Sequence, residues 1–111
     1  MTVKEQDTFL LLTDDYNDPK DFADFLTREV PKTYGDKNLV IELTKYADFT
    51  LGHLLHFLKV SNTHRAKKLS FVMICTDVPV DDIPFEMVVV PTLTEAADII
   101  EMEAIERDLG F

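Results

Sequence analysis

With 111 residues, 46 % of them hydrophobic, the chain can bury one core without covalent staples. A lone cysteine, Cys75, cannot close an internal disulfide and suits a reducing compartment, and no apolar run approaches the roughly 18 to 20 residues that span a bilayer. The net charge of −10 repels nucleic-acid phosphate and anionic lipid and argues against both as ligands.

That charge is uneven. Residues 1–76 carry 11 acids and 10 bases, whereas residues 77–111 carry 10 acids against one base, Arg107, or −9. The last third is either a solvated helix surface or a docking surface for a basic partner. The N-terminus, Met1-Thr2-Val3-Lys4-Glu5-Gln6-Asp7, has no apolar signal core. One soluble, cytoplasmic domain over residues 1–111 is expected.

Thr8-Phe9-Leu10-Leu11-Leu12-Thr13, closed by Asp14-Asp15, predicts a buried strand, with Thr2-Val3-Lys4 hairpinned to it as an edge strand. Asp18-Pro19 starts a helix, aspartate as N-cap and proline at the first helical position, where its missing N–H costs nothing. Its stripe is Phe22, Ala23, Phe25, Leu26 and Val30, and Pro31 is expected to stop it. Asn38-Leu39-Val40-Ile41-Glu42-Leu43 predicts a second buried strand after the Gly35-Asp36 turn. Thr50 then caps a helix whose leucines, Leu51, Leu54, Leu55 and Leu58, are expected to face the core.

Residues 69–75 predict a third strand, and the acidic, two-proline stretch 78–84 a loop or single turn. Residues 87–90 predict a short fourth strand ended by Pro91. The last helix opens on a capping box, Thr92 with Glu95, and Gly110 sits where a C-terminal cap belongs. Strands alternating with helices predict an α/β fold. Its sheet is four- to five-stranded and mostly parallel, with an N-terminal edge hairpin and three to four covering helices.

Chemistry is hard to place on this chain. The three histidines, His53, His56 and His64, lie near one helix without cysteines or the three or four convergent ligands a zinc site needs. Cys75 lies mid-strand with no adjacent base, and no Gly-x-Ser-x-Gly elbow occurs. Three scattered glycines cannot build a phosphate-cradling loop. The expectation is a non-enzyme without cofactor or metal.

Two helices carry apolar residues beyond what one sheet contact needs. His53, Phe57, Val60 and His64 recur at spacings of four, three and four, and project together away from Leu51 and Leu55. They either underlie a neighbouring loop or form a partly exposed interaction patch. On the final helix, Leu93, Ala96, Ala97, Ile100 and Ala104 form one stripe, while Met102, Ile105 and Leu109 fall opposite, with Phe111 just beyond. One straight helix on one sheet face cannot bury both. Either the chain bends near Glu101, or the second stripe meets another chain, as a homodimer or a hetero-complex.

The order of elements is similar to that of the STAS domain, the fold of anti-sigma-factor antagonists of the SpoIIAA type. The stretch 39–52 resembles that family's buried strand, polar loop and helix start: Asp48 matches the family's aspartate, Phe49 stands where its phosphoacceptor serine lies, and Thr50 takes the next hydroxyl position. Residues 89–96, Val-Val-Pro-Thr-Leu-Thr-Glu-Ala, resemble the last strand and final-helix opening. The resemblance implies a regulatory or scaffolding protein-interaction module using residues 48–60 and the acidic C-terminal helix, with Thr50 as candidate phosphoacceptor. Some STAS-like domains bind nucleotides or lipids, which makes a small-ligand sensor with its site at the Asp48 loop the alternative. The tail, 99–111, resembles the ending of short bacterial STAS-like proteins, some carrying a ribonuclease Z label; the His-x-His-x-Asp-His zinc motif of that RNA-processing hydrolase does not occur here.

Overall fold

The computed structural model describes residues 1–110. Five strands form one mixed sheet in the order β1-β2-β3-β4-β5. They are β1 (Thr2–Glu5), β2 (Leu10–Thr13), β3 (Leu39–Glu42), β4 (Phe71–Ile74) and β5 (Val88–Val90). β1 runs antiparallel to β2 as an edge hairpin, and the remaining pairs are parallel. Four α-helices accompany them: α1 (Pro19–Thr33), α2 (Leu51–Leu55), α3 (Leu58–Arg65) and α4 (Leu93–Asp108), with a 3-10 turn at Val80–Asp82. The α/β class, the edge hairpin and the strand positions agree with the sequence reading.

Register assigns the two faces. Leu12, Ile41 and Met73 lie side by side, as do Leu10, Leu39 and Phe71, and all join the core under α1, α2 and α3. One residue along, Val40, Val72, Ile74 and Val90 point the other way and meet Phe9 together with Ala96 and Ile100 of α4, with Leu11, Val88, Ala97 and Ile99 at the margin. Strands buried on both faces need no polar alternation, which is why each reads as a continuous apolar run. Every connection between the parallel strands lies on the first face, since Val78 and Met87 of the β4–β5 segment also join that core. Among the described residues α4 is therefore the one helix on the second face, and no other helix covers its outer side.

The helix ends form largely as the residues dictate. Asp18 accepts from the Asp21 N–H, Thr50 from that of His53 and Thr92 from that of Glu95, each cap contributing about 1 kcal/mol. Gly110 adopts φ +85, the left-handed cap conformation that favours glycine.

Pro31 does not stop α1, which runs on to Thr33. Proline deletes one N–H near the end of the helix, its exposed ring faces solvent, and Tyr34 N–H still closes on Val30 O at 3.0 Å.

The second correction concerns the patch. Phe57, Val60 and His64 are 0 %, 2 % and 1 % exposed, so they belong to the core; only His53 of that group is half-buried. The segment after Thr50 is two helices joined by a tight turn, in which His56 and Phe57 N–H bond to His53 and Leu54 carbonyls three residues back. Three-residue spacing advances the chain about 120° per residue instead of about 100°, which rotates the following face inward. α1 packs against α3 and widens the buried face, with Phe22 meeting the Phe57 ring edge-on at 6.0 Å and 71°. Leu55, expected inside, is 40 % exposed.

Candidate functional site

Loops following the carboxyl ends of β2 and β3 are tied together around one buried carboxylate. Asp14, just past β2, is 6 % exposed and accepts from Tyr46 Oη at 2.7 Å and from the Tyr16 N–H at 2.9 Å. Lys45 donates to the backbone oxygens of Asp14 and Tyr16, clamping the two loops. Burial, reinforced by the hydrogen bond to Asp14, pushes the Tyr46 hydroxyl pKa far up, so it stays protonated as a donor. A buried aspartate after a strand looks in sequence like an ordinary turn residue, and this hub was missed.

Around it the aromatic residues stack. Tyr46 and Phe49 lie 5.6 Å apart at 18°, and Phe49 and His53 5.5 Å apart at 40°. Phe49 is 4 % exposed. Thr50 is exposed, but its hydroxyl is the N-cap of α2, and its N–H donates to His53 Nδ1 at 3.0 Å. Asp48 is exposed and takes φ 56, a left-handed conformation aspartate tolerates. Packing and caps thus hold this loop in one arrangement.

α4 carries the stripe that the sequence singled out. It is one uninterrupted helix across Glu101, and Met102, Ile105 and Leu109 are 56 %, 59 % and 68 % exposed. Phe111, grouped with them in the sequence, lies outside the described residues. The opposite side is fastened: Ser70 Oγ donates to Glu103 Oε1 at 2.6 Å, Arg65 reaches Glu103 Oε2 at 3.0 Å, and Arg107 reaches Ser70 Oγ at 3.4 Å. The exposed residues therefore stand on a held helix and not a frayed end.

Three more exposed hydrophobics escaped the sequence reading: Tyr16 at 79 %, Val80 at 82 % and Phe85 at 100 %. Tyr16 follows the carboxyl end of β2, and Val80 and Phe85 follow that of β4, with β3 between the two. A phenylalanine between Pro84 and Glu86 in an acidic loop, outside any periodic pattern, is the signal that marks Phe85.

A cavity of about 380 Å³ opens beside the first turns of α1, lined by Asp14, Asp18, Asp21, Asp24, Tyr16 and Phe25 among others. Among the described residues no group of three or more His, Cys, Asp or Glu is placed to hold a metal ion, and no helix is long and apolar enough to cross a membrane. No protein-family model matches the chain, and no curated protein matches it either.

Proposed function

We propose that this chain is a STAS-like, non-catalytic interaction module, regulatory or scaffolding, that engages a partner protein through the outer face of α4. The observation that carries the reading is Met102-Ile105-Leu109, a solvent-facing apolar stripe on a helix whose other side is pinned by Glu103 and Arg107. The STAS likeness is supported by the edge hairpin, the helix starting at Thr50 directly after the β3 loop, and the capped α4 after β5. Phe49 departs from that family's pattern: a buried ring stacked on Tyr46 leaves no hydroxyl at that position, and the candidate phosphoacceptor next to it is Thr50, exposed and engaged as the N-cap of α2. The reading drops Phe57, Val60 and His64 from the interface because they are buried, and leaves Asp48, Thr50 and His53 outside it because their loop and α2 lie across the sheet from α4.

A nucleotide or acyl-chain sensor is the less favoured reading, because the α1 cavity does not include Asp48 and its four aspartates outnumber its one basic side chain, Arg28. Affinity purification with a free C-terminus, comparing wild type with Met102→Asp/Ile105→Asp, tests the proposal. A stoichiometric partner held by wild type and released by the variant is expected. Equal capture by both, or saturable thermal stabilisation by a nucleotide or acyl compound, would overturn it.

A further inference from the structure

The outward face of α4 has the layout of one coiled-coil heptad. Met102, Ile105 and Leu109 are spaced three and four apart, so they occupy successive a, d and a positions. In that frame the positions flanking the seam are Glu101 and Asp108 at g and Glu106 at e, all carboxylates and all exposed. The positions pointing away from the seam are Glu103, Ala104 and Arg107, and these are the half-buried residues that meet the body of the protein. Burial and heptad frame thus agree independently. The same frame extended towards the helix start places Asp98 and Glu95 on the seam, so the apolar part is one heptad long and bounded by acid.

Charge then chooses the occupant. The only base after residue 76 is Arg107, and its guanidinium turns inward to Ser70. Among the described residues α4 itself sets no cation beside the seam, and the bases of the α3 end, Arg65 and Lys68, share a groove with Glu106 alone of the three flanking carboxylates. Two copies placed face to face would oppose carboxylates at the e and g positions that set partner choice in coiled coils, so self-pairing is repelled. A helix with apolar a and d residues and Lys or Arg at e and g would instead meet three free carboxylates around a ready apolar seam. The geometry points to a heterotypic helical partner of this kind: α4 docks a basic amphipathic helix and rejects a second copy of itself. The inference rests on the proposed function and specifies its partner.

The test uses the full chain and two peptides of about three heptads, both with leucine at a and d, one with lysine and one with glutamate at e and g. Titration followed by anisotropy should show saturable binding of the lysine peptide alone. That binding should weaken at least about tenfold in Met102→Asp/Ile105→Asp, in Glu101→Lys/Glu106→Lys, and on raising salt from about 0.05 to about 0.5 M. The chain alone should sediment as a monomer. The inference is overturned if the lysine peptide does not bind, if the glutamate peptide binds as well, if either variant leaves binding intact, or if the chain forms a dimer that Ile105→Asp dissolves. Both variants alter exposed side chains only, so unchanged thermal melts separate lost binding from lost folding. Should the peptide fail while Met102→Asp/Ile105→Asp still releases a captured cellular partner, the proposed function stands and only the basic-helix assignment falls.

Discussion

Phe57→Ala separates core from surface at the residue where sequence and structure disagree most. The side chain is 0 % exposed and packs edge-on against Phe22 at 6.0 Å. Truncation removes the ring's transfer free energy and leaves a cavity between α1 and α3 that rigid neighbours cannot fully close. The cost is about 3–5 kcal/mol, of which the aromatic pair accounts for roughly 0.5–1.5 kcal/mol. A domain of this size has only about 5–15 kcal/mol in total. Urea denaturation, with a slope of about 1–2 kcal/mol per molar, should therefore show the midpoint falling by roughly 1.5 M or more. Met102→Ala, at a residue 56 % exposed, provides the internal control and should stay within about 0.5 kcal/mol of wild type. A Phe57→Ala loss below about 1 kcal/mol would refute the burial argument and return Phe57 to the surface patch.

Two further outcomes follow from the same packing. His64 Nε2 lies 2.6 Å from Lys37 O and donates to it in the neutral ring, while Nδ1 is buried without a partner; burial depresses the His64 pKa below its ordinary 6.5. Below that ordinary value the unfolded chain takes up the proton before the folded one. Wild type should thus hold this stability above about pH 6.5 and lose it as the pH falls towards the depressed folded value, while His64→Gln should not. Urea titrations across pH 7 to 5 with a constant difference between the two would contradict this. Phe49→Ser, which restores a hydroxyl at the position that resembles a phosphoacceptor, should cost about 3 kcal/mol by removing the ring between Tyr46 and His53. A cost under about 1 kcal/mol would mean that the loop is not held by that stack.

What the sequence made legible was local. Asp18-Pro19, Thr50 and Thr92 announce helix starts because capping is a short-range bond between a side chain and an N–H two or three residues on, and continuous apolar runs announced the parallel strands. The stripe of Met102, Ile105 and Leu109 was legible for the same reason: one uninterrupted helix keeps its period. The patch after Thr50 was not, because the tight turn at His56 and Phe57 shifts the azimuth of every later residue, and nothing in the pattern of leucines marks it. Pro31 misled because its cost depends on where the ring points, which tertiary structure decides. Asp14 and its partner Tyr46 are 32 residues apart, and that bond becomes visible only when β2 and β3 pair.

The central claim is that the outer face of α4 is a protein-binding seam. Hydrogen–deuterium exchange on the chain with and without its captured partner addresses it most directly, because fixing a helix on that seam must slow exchange along the C-terminal half of α4. Protection over residues 101–109, absent with Met102→Asp/Ile105→Asp, is the result this account predicts. Protection confined to the Asp14–Thr50 loops or to the Val80 and Phe85 segment, with α4 unchanged, would contradict it.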